Sequence, residues 1–259
     1  HILDVNVGIP DIDEATLLPD VVCALQSVTD LPLQIDTANQ SAMERALRLY
    51  NGKAMINSVN GKQESMGAIF PLAKKYGGVI VALTLDENGI PTTADGRMRI
   101  AEKILSVAAS HGIAKEDIVF DPLAMTVSAD RQAATVTLTA LRRIRDELGC
   151  HTSLGVSNVS FGLPNRDVVN SVFFAMALEE GLSAAIMNPY SAEMRKVYYT
   201  CRMLRGMDEN CADYIANAAS FATAAEVATQ DRQTEESASP LQYAIDRKST
   251  RLNSSHPSR

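Results

Sequence analysis

The sequence contains no tryptophan, and aromatic residues make up only 5% of its 259 positions. Its hydrophobic residues, 46% of the total, suffice for one large core but come in short runs. None of these approaches the ~20 residues that a helix needs to cross a bilayer, and no secretory signal is visible, so no membrane partner is expected. Cys23, Cys150, Cys201 and Cys211 show no C-x-x-C spacing, which argues for reduced thiols in a cytoplasm. Cys201 and Cys211 sit in or after a helical pattern, where packing is their expected use. Histidine is equally sparse: His1 opens the chain and His256 lies near its end, leaving His111 and His151 in no ligand pattern. No metal site is expected. Neither G-x-G-x-x-G nor a P-loop is present, which removes the usual first turn of an open dinucleotide-binding sheet.

Positive charge is in deficit as well, with 24 Lys and Arg against 31 Asp and Glu and a formal charge of −7. The end of the chain holds part of that positive charge. DRKSTRLNSSH (Asp246–His256) reads as one translated frame of a common sequencing adapter, so 246–259 is set aside as a segment without biological origin. The alternative is a basic tail that binds nucleic acid. Without Asp246–Arg259, which carries four Lys or Arg and one Asp, the charge moves from −7 to −10. So acidic a body has no footprint for a phosphate backbone, and no nucleic-acid partner is expected.

What is present is alternation. Short apolar runs at Ile2–Val7, Leu33–Ile35, Ala54–Ile56, Val79–Thr84, Ile118–Phe120, Thr152–Val156 and Ala184–Met187 read as strands. Between and after them, 13–27, 41–50, 64–76, 97–110, 133–148, 167–180 and 192–204 read as helices. Pro19 is expected near the first turn of its helix, Gly52 is expected to stop the second, and Pro71 to kink or break the third. Seven strands, each followed by a helix, predict an α/β fold, a TIM (β/α)8 barrel. The chain begins at His1 without a Met and runs straight into a strand, so the barrel is expected to be truncated at its N-terminus, with the first strand missing. An open doubly wound sheet is the alternative. If a strand is missing, edges at Ile2–Val7 and Ala184–Met187 would be exposed, and an N-terminally extended chain should be more soluble. The barrel is assigned to 1–217. Residues 218–245, rich in Ala, Thr, Ser, Gln and Glu, read as a linker.

In a barrel of this kind the active site lies just past the C-terminal ends of the strands. That rule selects Asn6, Asp36, Asn57, Asp121, Asn158 and Asn188. Each alone reads equally as a helix cap or Asx-turn. Together they would ring one pocket with carboxylates and amides and no His, Cys or Lys nucleophile, an arrangement suited to gripping an N–H-rich heterocycle rather than to covalent catalysis. The segment His151–Arg166 is the centre of this reading: a β-rich run, then Ser157, Asn158 and Ser160, then a helix opening near Pro164 and Asp167.

LDVNVG (Leu3–Gly8), QIDTAN (Gln34–Asn39), INSVNG (Ile56–Gly61), ALTLDENGIP (Ala82–Pro91), DPLAMTVSAD (Asp121–Asp130) and GVSNVSFGLPNR (Gly155–Arg166) follow one another in the chain. In that order they resemble the pterin-binding domain of cobalamin-dependent methionine synthases and methyltetrahydrofolate–corrinoid methyltransferases. The resemblance runs from His1 to about Tyr214 and implies a TIM barrel. It implies that Asp36, Asn57, Asp121 and Asn158 hold the pterin ring of 5-methyltetrahydrofolate, with Asn6 beside them. Arg166 would lie near the aminobenzoyl-glutamate end, where a guanidinium suits a carboxylate; a helix-terminal ion pair with Asp167 is its alternative.

The implied activity is methyl transfer from 5-methyltetrahydrofolate to a cob(I)alamin or other corrinoid cofactor. Asn158 is then the catalytic candidate that hydrogen-bonds the methylated nitrogen. The implied partner is a cobalamin-binding domain or a corrinoid protein, toward which the linker would lead, and a homodimer is compatible. Homocysteine would be the final acceptor in a full-length methionine synthase. The alternatives are a stand-alone methyltetrahydrofolate–corrinoid protein methyltransferase, a non-catalytic pterin-binding module, and a dihydropteroate synthase-like enzyme. For the last, the Lys and Ser-x-Arg pairing of that family is not found after Ala184.

Overall fold

The computed structural model describes residues 1–221. The expected linker beyond Phe221 and the segment from Asp246 onward lie outside the described residues. Two compact units divide the chain, His1–Val197 and a second beginning at Tyr198.

Strands and helices alternate as β1 (Leu3–Asn6), α1 (Glu14–Gln26), β2 (Leu33–Asp36), α2 (Gln40–Leu49), β3 (Met55–Asn60), α3 (Gln63–Tyr76), β4 (Val79–Leu83) and α4 (Ala94–Ser110). The series continues with β5 (Ile118–Asp121), α5 (Ala133–Arg143), β6 (His151–Gly155), α6 (Arg166–Glu179), β7 (Ala184–Ile186) and α7 (Ala192–Leu204). All strand pairs are parallel and strand order equals chain order from β1 to β7. That is the order of a nearly closed (β/α) barrel, not of a doubly wound sheet, which reverses at a switch point.

Successive residues of a strand face opposite sides of the sheet, and here the two sides hold different cores. Val5, Leu33, Ile35, Ile56, Ile80 and Phe120 pack outward with Leu18, Met43, Phe70 and Ile104 of the surrounding helices. Met55, Val81 and Val119 form a smaller cluster with Val79 and Leu83 on the inner side. Helix entry is fixed by side-chain caps: Asp13 accepts from Ala15 N at 3.1 Å, Asn39 from Ser41 N at 3.0 Å, and Thr93 from Gly96 N at 3.1 Å. Each satisfies an amide that the first helical turn leaves free.

Several local expectations are corrected. Pro19 occupies the second turn of α1 rather than the first, and α1 continues to Gln26. Helix α2 stops at Leu49 on an extended Tyr50 and not at Gly52. Pro71 neither ends nor splits α3, which reaches Tyr76 and closes on Gly77 at φ 74°. The carbonyl that Pro71 deprives of a donor belongs to Gly67, whose Cα faces open space. Strand β3 runs four residues past Ile56, to Asn60. Its register shifts between Asn57 and Val59, and the Asn57–Ser58 peptide is cis.

In the second unit, α8 (Ala212–Ala218) starts where Asp208 accepts from the amides of Asp213 and Tyr214, both at 2.9 Å. Tyr199 and Tyr214 flank Phe221 at ring distances of 5.6 and 6.0 Å. Arg202 lies over Tyr198 and bonds Asp213 at 3.2 Å. No helix among the described residues is long and apolar enough to cross a membrane.

Two glycines test the packing. A Cβ on Gly61, just after β3, would stand 2.7 Å from Ile100 Cγ2 and 2.9 Å from the Leu85 carbonyl. Gly61→Ala should therefore lower the urea midpoint, by about 1–3 kcal/mol of stability. A Cβ on Gly67 inside α3 meets nothing within 4 Å, so Gly67→Ala should add about 0.5–1 kcal/mol through helix propensity. Equal midpoints for the two variants would contradict this packing.

Candidate functional site

The C-terminal ends of the strands carry two polar rows set by the ladder. Asn6 pairs with Asp36, Asp36 with Asn57, and Asn57 with Val81 of the inner cluster. In-register neighbours face the same side, so this row faces the barrel interior. One row higher, Asn60 pairs with Leu83 and Leu83 with Asp121. The bulge creates this second row. Inserting Ser58 returns Val59 to the outer core, where it is fully buried, and turns Asn60 to the inner side with Asn57. Bulges often re-aim side chains in this way beside functional sites.

The first row is wired along its length. Asn6 Nδ2 donates to Asp36 Oδ2 at 2.9 Å, while Asn6 Oδ1 accepts from Gly8 N at 2.9 Å. Burial raises the Asp36 carboxyl above its ordinary range; the Asn6 hydrogen bond opposes this, and the charges of Asp4 and Glu14 add to it. Asp4, one row lower, accepts from Gln34 Nε2 at 2.6 Å and is likewise raised by burial. Thr37 donates to Glu14 beside the row. The side-chain amide of Asn57 has no hydrogen-bonding partner among the described residues. A cleft of about 320 Å³ opens over Asp36, Thr37, Asn57, Ser58, Asn60 and Lys62.

Asp121 closes β5 and is only 7% exposed. Burial pushes its carboxyl up to about 6, and the amides of Leu123 and Gly155 and the charge of Arg97 act against that rise. The Leu123 amide donates to Oδ1 at 2.7 Å, and Leu123 takes φ 67° to do so. Gly155 also adjoins Asn158, since a Cβ there would lie 3.1 Å from Asn158 Nδ2. Asn158 sits in the short 3-10 turn Val156–Ser160, exposed, with no side-chain partner among the described residues. Asp121 and Asn158 thus both adjoin Gly155, the first through the glycine's backbone amide and the second beside its Cα.

Arg166 opens α6 but does not pair with Asp167. Its Nε donates to Ser160 Oγ at 3.0 Å, its Nη2 to the Ser157 carbonyl at 2.8 Å, and its guanidinium lies 4.5 Å from the Phe161 ring centre. These bonds fix it to the turn that carries Asn158. Asn188, also selected by the strand-end rule, accepts from Tyr190 N at 3.0 Å in an Asx-turn; the turn accounts for it.

Two residues escaped the sequence reading. Asn60 was hidden because β3 was expected to end at Ile56, and no single-strand pattern announces a bulge. Arg97 is 2% exposed. Its position was readable, since Arg97, Ala101, Ile104 and Ala108 fall on one buried face of α4, where an arginine needs a specific reason. A larger cleft, of about 460 Å³, lies over Asp86–Thr93 and the first turns of α4 with Arg99 and Lys103. It contains none of the strand-end residues; the smaller cleft takes in Asp36 and Asn57 and is preferred as the site, although its lining does not include Asp121, Asn158 or Arg166.

Comparison with known proteins gives a consistent picture. The profile of the family described as "Pterin binding enzyme" matches residues 1–188. A methylcorrinoid:tetrahydrofolate methyltransferase of Eubacterium limosum is 27% identical over 217 residues, covering 82% of this chain and 79% of the relative. A methionine synthase of Mycobacterium tuberculosis is 30% identical over 201 residues, covering 73% of this chain but only 17% of the relative. Among solved structures, the dihydropteroate synthase of Yersinia pestis superposes with a TM-score of 0.63 at 16% identity, over 79% of this chain and 82% of that one. At that identity the likeness is one of fold.

The raised Asp121 carboxyl has a consequence for stability. An acid whose folded pKa lies above its unfolded value contributes stability that is full below the unfolded pKa. That contribution is lost as pH rises through the folded pKa. For Asp121 the loss spans 3.8 to about 6, on the order of 2–3 kcal/mol. Between pH 3.5 and pH 7.5 the wild type should therefore lose stability relative to Asp121→Asn by that amount. Urea unfolding of both proteins at the two pH values measures it, and a pH-independent difference would contradict the burial of the charge.

Proposed function

We propose, for a chain that belongs to the pterin binding enzyme family, that it binds 5-methyltetrahydrofolate at the strand ends and exchanges its methyl group with a corrinoid carried by another domain or protein. The observation that carries the proposal is that Asp121 and Asn158 both adjoin Gly155 at the strand ends. A buried carboxylate and an unpaired amide adjoin one glycine, in a chain whose relatives at 27% and 30% identity are named methylcorrinoid:tetrahydrofolate methyltransferase and methionine synthase.

Each residue then has a defined task. Asp121 and Asn57 take paired hydrogen bonds from the pterin ring, and Asp36, steadied by Asn6, takes a further one. The free N–H groups of Arg166 meet the glutamate carboxylates. The methylated nitrogen is a tertiary amine and a poor leaving group, because its loss as an anion is costly. A hydrogen bond from the Asn158 amide to that nitrogen strengthens as negative charge develops there, and solvent supplies the proton that completes the N–H of tetrahydrofolate as the methyl leaves. Positioning and electrostatics supply the rate effect, with no covalent intermediate on the protein. In the reverse sense, which the Eubacterium limosum relative's name describes, the same contacts hold tetrahydrofolate to receive the methyl.

The corrinoid supplies the centre that takes up or gives up the methyl group. The residues at the strand ends are amides and carboxylates, which fit a pterin, and the corrinoid would be carried by another domain or protein. The dihydropteroate synthases share the barrel at 16% identity, but the relatives named methylcorrinoid:tetrahydrofolate methyltransferase and methionine synthase reach 27% and 30%, and methyl transfer is the preferred reading. Whether the complete protein methylates homocysteine belongs to the same proposal, since the chain spans 17% of the methionine synthase it matches.

The test separates binding from transfer. Asn158→Ala should lower single-turnover methyl transfer to added cob(I)alamin more than it lowers 5-methyltetrahydrofolate affinity. Asp121→Asn should weaken binding by about 1–3 kcal/mol, the usual cost of spoiling a hydrogen bond to a charged group. Equal losses of rate and affinity in Asn158→Ala would remove its catalytic role. Folate binding that neither change affects would remove the pocket. Binding without transfer in the wild type would leave a pterin-binding module.

A further inference from the structure

Arg97 is the one fully buried cation among the described residues, and no carboxylate lies within ion-pair distance of it. Removing a guanidinium from water costs several kcal/mol unless its N–H groups find acceptors. Here the acceptors are mostly main-chain carbonyls from two loops at the site. Nη1 lies 2.6 Å from the Pro122 carbonyl, 2.9 Å from the Leu123 carbonyl and 3.0 Å from Thr137 Oγ1 of α5. Nε donates to the Pro91 carbonyl of the β4–α4 loop at 3.2 Å. One side chain on α4 thereby joins the loops after β4 and β5.

The turn it holds is the one that serves Asp121. Leu123 stands at φ 67°, a conformation that costs a residue with a side chain about 1–2 kcal/mol. It persists because both faces of the residue are engaged. Its N–H is given to Asp121 Oδ1 at 2.7 Å, and its carbonyl accepts from Arg97 and, at 3.0 Å, from Thr137. Were Arg97 absent, the Leu123 carbonyl would lose its charged donor and the turn could relax toward negative φ, carrying the amide off the carboxylate.

We propose that Arg97 is a positioning residue of the site: it clamps the Pro122–Leu123 turn so that the Leu123 amide faces Asp121, and it sets a positive charge behind that carboxylate. The part of this that concerns pterin affinity rests on the pterin reading of the site; the part that concerns Asp121 does not. The charged and polar groups facing Asp121 are Arg97 from α4, the Leu123 amide from its own loop and the Gly155 amide from β6. Burial dominates the raised carboxyl, and Arg97 opposes that rise.

The experiment uses the whole chain and two substitutions, Arg97→Met and Arg97→Lys. Asp121 is titrated without ligand through its carboxyl carbon resonance, assigned with Asp121→Asn. Tetrahydrofolate binding is measured separately between pH 5.5 and 8. Arg97→Met should move the Asp121 midpoint up by about one unit, because an opposite charge favours the ionised form. Tetrahydrofolate affinity should then fall about fivefold more at pH 6 than the same change costs at pH 8. Arg97→Lys keeps the charge but not the planar fork. It should return the midpoint toward that of the wild type while still losing affinity at pH 8, where Asp121 is ionised in both proteins. An unmoved Asp121 midpoint in Arg97→Met overturns the proposal. Should Arg97→Met fail to fold, a folded Arg97→Lys with wild-type affinity at pH 8 overturns it. If the midpoint moves but tetrahydrofolate binding ignores Asp121→Asn as well, the pterin reading fails and the positioning of Asp121 stands.

Discussion

Seven parallel strands paired in chain order leave each strand side chain two directions, outward to the helices or inward to the barrel axis. Everything else in the molecule follows from how the residues divide between these. The outward set, Val5, Ile35, Ile56, Ile80 and Phe120 among them, meets helices over an aliphatic core. The inward set is apolar only around Met55, Val81 and Val119. Toward the C-terminal strand ends it becomes Asn6, Asp36, Asn57 and Asp121. A barrel interior filled entirely with Val and Ile would be more stable, because carboxylates such as Asp121 resist removal from water. The polar rows are where this chain sacrifices stability, and they coincide with the C-terminal face on which barrels of this kind place their sites.

The cost is contained by local devices rather than by ion pairs. Asp121 is supported by backbone amides and by a guanidinium at a distance, Asp36 by the Asn6 amide, and Arg97 by carbonyls. The salt bridges of the described residues lie between side chains that are largely exposed, such as Lys75 with Glu44, where such pairs add little. Asn57 and Asn158 break the pattern, with side-chain amides unpartnered among the described residues. Under the proposed function they are the groups that await a ligand, and their freedom distinguishes them from Asn188, whose Asx-turn already satisfies it.

Much of this was readable from the sequence, for physical reasons that differ by element. Alternating apolar runs and amphipathic stretches gave the seven strand–helix repeats, because burial of one face imposes a period on any chain that folds this way. The strand-end rule then selected Asp36, Asp121 and Asn158 without reference to contacts. Where reading went astray, the governing interaction was not local. Pro71 stays inside α3 because packing of Met66, Ile69, Phe70 and Ala73 outweighs one lost hydrogen bond. Tyr50, not Gly52, closes α2, and its hydroxyl accepts from Leu33 N at 3.2 Å, a contact between elements that no window of sequence contains.

The sequence by itself determined the barrel, its family and the chemical character of the strand ends, since these depend on residue type and on spacing along the chain. Tertiary structure alone decided which of those polar residues meet. The bulge that turns Asn60 inward beside Asn57, the approach of Asp121 to Gly155 beside Asn158, and the guanidinium of Arg97 behind Leu123 each involve strands or loops distant in sequence. Hydrogen bonds and buried charges act over a few ångströms of space, whatever the number of residues between their partners, and those distances exist only once the strands have paired.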